Sequence, residues 1–130
     1  MKEADRERYA KEVTVLGESL ARATSSGEAA VHDDAVWDVY AGVEKLIAVL
    51  KFRLDYETPG VFTKLPDATD TVKLLREARD LLLKADDEIS GRRLVDAIET
   101  LRKARNNLRS YLTAKRKAAT GPSRSRPAAP

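Results

Sequence analysis

The chain has 130 residues, no cysteine, 35% charged residues and a formal net charge of +3. That length holds one core, and the lack of cysteine excludes a disulfide framework, a thiolate metal site and a cysteine nucleophile. The charge is uneven: residues 1–91 carry 13 Lys and Arg against 19 Asp and Glu, and residues 92–130 carry 11 against 2. An anionic partner therefore feels the C-terminal third, whatever the overall balance.

No apolar run reaches about 18 residues and no leader-peptide pattern is present, so the expectation is a soluble, cytoplasmic protein without a membrane contact. Gln is absent, and Asn and Met are scarce beside abundant Glu, Lys and Arg. Such a composition suits a thermophile's protein.

The first helical pattern covers residues 2–24. Tyr9, Val13, Leu16, Leu20 and Ala23 recur at four- and three-residue steps, one stripe of an amphipathic helix, with Glu3, Asp5 and Glu7 in the turns where the helix dipole favours anions. The second, residues 28–57, is the most apolar: Val36, Tyr40, Val43, Ile47, Leu50 and Leu54 form its stripe, widened by Val39 and Leu46, and Pro59-Gly60 stops it. In the connection that follows, Val61, Phe62 and Leu65 are apolar enough to pin it onto the body of the protein.

A third helix over 67–86 starts from Asp67 as its cap, and Leu75, Ala78, Leu82, Ala85 and Ile89 continue its stripe from Thr71, helped by Val72, Leu74 and Leu81. The segment 86–91 reads as a tight reversal. A fourth helix over 91–117 carries Leu94, Ile98, Leu101, Ala104, Leu108 and Tyr111, and Gly121-Pro122 follows. No stretch alternates with the period of a strand. The expected fold is all-α: an antiparallel four-helix bundle over 1–117, followed by a disordered basic tail over 118–130. A hairpin of the last two helices that completes itself by oligomerising is the alternative.

Chemistry-bearing patterns are sparse. His32 stands alone beside Asp33 and Asp34, and one histidine without cysteine does not make a zinc site. Asp33, Asp34 and Asp38, like Asp86, Asp87 and Glu88, lack the spacing of a calcium loop and read as dipole compensation and caps. The six glycines are scattered singly, so no phosphate loop is present. The reading expects no catalytic residue, no metal and no cofactor.

One local resemblance concerns "KARNNLRSYL". Arg105-Asn106 resembles the opening of the motif carried on a late helix by the HEPN family of helical-bundle ribonucleases and toxin partners, an arginine and a polar residue followed about a turn later by histidine. Ser110 or Tyr111 stands where the histidine would be. The resemblance implies Arg105 and Asn106 as site residues and a role in binding RNA or a partner without the catalytic histidine.

Two surfaces remain. Arg102, Arg105 and Arg109 fall on one arc of the fourth helix, extended by Lys115, Arg116 and Lys117 and by Arg124 and Arg126 in the tail, a layout suited to sequence-indifferent phosphate contact with DNA or RNA. On the second helix Trp37, Ala41, Ala48 and Phe52 lie far around from the core stripe. That second apolar face is expected to lie beneath the 59–66 connection; left open, it is an interface for a protein partner or a second copy. The functional expectation is a non-enzymatic helical accessory subunit docked on a macromolecular partner in a nucleoprotein complex. The alternatives are a divergent HEPN-like ribonuclease and a protein-binding adaptor without nucleic-acid affinity.

Overall fold

A computed structural model describes residues 1–24, 33–57 and 64–125, with side chains as far as Ala118. The chain folds as four helices, α1 (Glu3–Thr24), α2 (Asp33–Leu54), α3 (Thr71–Ser90) and α4 (Leu94–Ser125), with no strand among the described residues. Every residue of the four expected stripes is buried or half-buried except Val72, which faces solvent. The stripes meet in one apolar core, and that shared burial stabilises helices that are individually marginal in water.

Several boundaries differ from those read in the sequence. The expected start of the second helix at residue 28 lies outside the described residues. Its end comes earlier, at Leu54, where Asp55 turns the backbone into the left-handed region with φ 52°. The third helix is capped by Asp70, whose side chain accepts the Lys73 N–H at 3.0 Å. Asp67 is occupied elsewhere: its Oδ1 takes the Thr69 N–H and hydroxyl, a local turn that bends the chain ahead of the helix. The helix then runs to Ser90, through most of the 86–91 segment expected to reverse the chain.

The reversal is made by three residues. Arg92 N–H donates to the Ile89 carbonyl and Arg93 N–H to the Glu88 carbonyl, the paired bonds of a Schellman end. The left-handed position in that motif is held by Arg92, with φ 63°, although Gly91 stands one residue earlier. The fourth helix continues through Gly121-Pro122 to Ser125, beyond the boundary expected at residue 117. Proline removes one rung of the ladder there, and the alanine-rich, anion-free approach favours helix. Residues 126–130 of the expected tail lie outside the described residues.

Side-chain contacts establish the topology. Arg53 near the end of α2 meets Asp5 at the start of α1, Arg6 of α1 meets the last turn of α3, and Asn107 of α4 meets Leu74 of α3. Neighbouring helices are thus antiparallel. Helix α1 packs on α2 and α3, and so does α4, so α1 lies diagonal to α4 and α2 to α3. Because α2 ends beside the start of α1 while α3 begins at the opposite end, the connection 55–70 must return along the length of the bundle. Its described ends both rest on α4: Tyr56 donates to Glu99 and Pro66 accepts from Ser110. One long crossover, with the other connections short, is a known bundle variant.

The end of α3 is held by a residue distant in sequence. Arg6, only 14% exposed at its side chain, donates from Nη1 to the Ser90 carbonyl at 2.9 Å and the Ile89 carbonyl at 3.3 Å, and pairs with Glu3. A cation on the orphan carbonyls of a helix end satisfies acceptors and opposes the dipole. Replacement Arg6→Ala is expected to lower the unfolding free energy by about 1–2 kcal/mol in urea titrations. Arg92→Gly is expected to raise it by about 0.5 kcal/mol, since glycine relieves the left-handed position and the exposed Arg92–Glu3 pair contributes little.

Candidate functional site

The cationic arc of α4 divides into two parts. Arg102 Nη1 pairs with Glu99 at 2.9 Å, and Arg105 Nη1 pairs with Glu44 of α2 at 3.2 Å. Both guanidinium groups are half-buried, and Arg105 also donates from Nε and Nη2 to Asn106 Oδ1. Arg109 remains exposed. Two of the three arginines expected to form the phosphate-binding arc on the bundle are therefore occupied by internal ion pairs, because the acids of α2 and of α4 itself stand within reach.

One turn further along, α4 carries three polar side chains inside the core stripe. Asn107 Nδ2 donates to the Leu74 carbonyl of α3 at 3.2 Å, Ser110 to the Pro66 carbonyl of the crossover at 3.0 Å, and Tyr111 to Asp33 Oδ1 of α2 at 2.7 Å. The sequence reading missed the roles of Asn107 and Ser110. The available signal was a pair of small polar residues beside Leu108 on an apolar stripe, where a buried donor must find an acceptor.

Beyond Leu112 the pattern changes. Thr24 ends α1, Asp33 begins α2 and Thr71 begins α3 near the same level, so the described ends of the other helices stop where Tyr111 sits. Helix α4 is 32 residues long against 20 to 22 for the others, and over 113–125 it extends past their described ends. Its Lys115 ammonium lies 5.8 Å from the Tyr111 ring centre, and Arg116 and Lys117 are exposed. Arg124 is on the last turn, and Arg126 lies outside the described residues. The projecting arm spans about 20 Å at 1.5 Å per residue, and residues 113–125 contain no acid.

The second surface is the outward face of α2. Trp37 is 53% exposed and Phe52 87% exposed, and Ala41 and Ala48 between them are exposed as well. Most of the 59–66 connection expected to cover this face, Val61 and Phe62 included, lies outside the described residues; the described ends of the crossover, Tyr56 and Pro66, lie on α4. The Trp37 ring stands edge-on to Tyr40 at 5.6 Å between centroids. Beside this face, Val15, Leu16, Gly42 and Lys45 line a shallow groove between α1 and α2 of about 370 Å³. A Cβ at Gly42 would lie 2.5 Å from a Leu16 methyl, so glycine is what lets Leu16 rest on α2 there.

The remaining chemistry-bearing residues do not converge. His32 lies outside the described residues, and among the described residues no three His, Asp or Glu gather as a metal site. Asp33 accepts from Tyr111 and Asp86 accepts from Thr14, each a link between helices. Glu88 is buried near the end of α3 with its Oε1 unpartnered among the described residues. Also among the described residues, no helix is long and apolar enough to cross a membrane. No family model matches the chain, and neither a curated protein nor a solved structure was found to be similar to it.

Burial first, then the Asp33 hydrogen bond and charge, push the Tyr111 hydroxyl well above the usual tyrosine value. Burial and Glu44 raise Tyr40 in the same direction. A tyrosine whose folded value is raised contributes stability that is fully present below its unfolded value of about 10 and is lost as pH rises through the folded one. Stability measured by denaturant titration is therefore expected to fall between about pH 10 and 12, and to fall less steeply in Tyr111→Phe. Equal slopes in the two proteins would mean that Asp33 does not hold the hydroxyl.

Proposed function

We propose that the chain is a non-enzymatic helical accessory subunit of a nucleoprotein assembly, in which the arm of α4 lies along phosphate while the bundle docks on protein. The observation that carries this reading is the projection of 113–125 past the described ends of α1, α2 and α3 as an acid-free helix bearing Lys115, Arg116 and Lys117. A helical cationic arm neutralises phosphates without reading bases, and no aromatic side chain follows Tyr111 to stack on them. Arg109 on the bundle adds to the same surface, whereas Arg102 and Arg105 are held by Glu99 and Glu44.

A protein-binding adaptor without nucleic-acid affinity is the second reading, and those two ion pairs favour it. The ribonuclease alternative has less support: Arg105 is tied to Glu44 and Asn106, and the hydroxyls of Ser110 and Tyr111 hold the crossover and α2.

The test is the salt dependence of binding to labelled duplex DNA and RNA. The expected dissociation constant is roughly 1–100 µM at physiological salt, indifferent to sequence, with log affinity falling steeply against log salt. Double replacement of Lys115 and Lys117 by Ala should reduce the slope on duplex DNA by about 1–2, at about 0.9 per phosphate. Arg102→Ala should change it little, because that cation already has its anion. Absence of retention at about 50 mM salt would leave the adaptor reading.

A further inference from the structure

We infer that the arm of α4 enters the major groove of duplex DNA, which deepens the phosphate-binding reading and rests on it. The girth of the arm and the directions of its cations carry the inference. Residues 113–125 are four cations and nine residues of the Ala, Thr, Ser, Gly and Pro types, with no acid, no aromatic and no large aliphatic side chain. Such a helix has no apolar stripe to bury against protein. Apart from its cations it is also slimmer than the diameter of about 10–12 Å usual for a helix with side chains.

The cations do not share a face. Lys115 and Lys117 are two residues apart in α4, so at about 100° per residue they diverge by about 200°. Lys115 is half-buried beside the Tyr111 ring, and Lys117 is exposed. A helix laid along a single row of phosphates engages one of these sides and leaves the other in water. A helix between two rows engages both. The major groove of B-form DNA, about 12 Å wide and walled by phosphates, admits a helix, whereas the minor groove at about 6 Å does not. The major groove of duplex RNA is deep and narrow and excludes it. Single strands are held by stacking, and the arm has no aromatic side chain to stack.

The end of the bundle from which the arm leaves is mixed in charge. Exposed Asp34, Asp67 and Asp70 share that end with exposed Lys73 and Arg109, and Asp33 holds Tyr111. Such a surface holds a duplex less well than the acid-free arm, so the bundle end stays outside the groove while the arm enters it. Lys115 and Lys117 leave the helix about 6 and 9 Å beyond Tyr111 at about 1.5 Å per residue, distances comparable with the Debye length of about 8 Å at physiological salt. The acids therefore weaken the hold of the arm without cancelling it.

Fluorescence anisotropy with the full chain at about 50 mM salt compares a short labelled duplex DNA, the duplex RNA of the same sequence and the single DNA strand. Duplex DNA should bind at least about tenfold tighter than either of the others. On duplex DNA, Lys115→Ala and Lys117→Ala should each lower the slope of log affinity against log salt by about 0.9, one phosphate apiece, and the double variant should lose the sum. Neither lysine belongs to the apolar core, and circular dichroism with melting confirms that the variants stay folded. At saturating protein, dimethyl sulfate should be blocked at guanine N7, which faces the major groove, and should still reach adenine N3 in the minor groove.

Equal affinity for duplex RNA overturns the groove and leaves the phosphate-binding reading standing. So does protection at adenine N3 in place of guanine N7, which moves the arm to the minor groove. A slope that only one of the two lysines changes also overturns it, since the helix then lies on a single row of phosphates. Absence of binding to all three nucleic acids overturns the phosphate-binding reading and the groove together, so the two failures are distinguishable.

Discussion

The turn of α4 from Asn107 to Tyr111 is where the bundle is tied together. Three donors on that turn reach three other elements: the Leu74 carbonyl of α3, the Pro66 carbonyl of the crossover and the Asp33 carboxylate of α2. A buried polar group left without its partner costs about 1–3 kcal/mol, so a slide of any of these elements along α4 is penalised. Apolar stripes alone tolerate such slides, because Leu, Ile and Val contacts are nearly non-directional. The same turn closes the body of the protein, and past it α4 meets no described helix end.

Charge placement follows from that geometry. At one end of the bundle Arg6, Glu3 and Arg92 gather around the last turn of α3, and Arg53 pairs with Asp5. Midway, Glu44 and Glu99 take up Arg105 and Arg102. At the far end Asp33 holds Tyr111 and Asp70 caps α3, and α4 beyond Tyr111 carries no acid within its own segment. The imbalance seen between the halves of the sequence is thus carried by the last part of α4, whose residues 113–125 hold four cations and no acid.

Helix α2 has two apolar faces, and only one is used internally. The branched aliphatic residues went to the core, where they interdigitate at high density. The other face is built of two alanines between two rings, a poor core stripe because it would leave space between helices, and a good contact for another helix at short range. Gly42 serves the same economy on the flank, where Leu16 of α1 occupies the volume a side chain would need.

Much of the architecture was legible from spacing. Periodicity is local, set by 3.6 residues per turn and by which residues avoid water, so the four stripes from Tyr9 to Tyr111, the helix count and the all-α class were determined by the sequence itself. The caps were half legible: both Asp67 and Asp70 are suitable, and the choice fell to Asp70 because Asp67 closes a turn on Thr69. Gly91 marked the reversal, yet Arg92 adopts the left-handed conformation because the paired bonds to Glu88 and Ile89 require it one residue later. What only the tertiary structure decided are relations between residues far apart in the chain: the crossover along α4, the pairing of Arg105 with Glu44, and the exposure of Trp37 and Phe52. Those depend on which helices become neighbours, and a helix stripe records that it must be covered without recording by what.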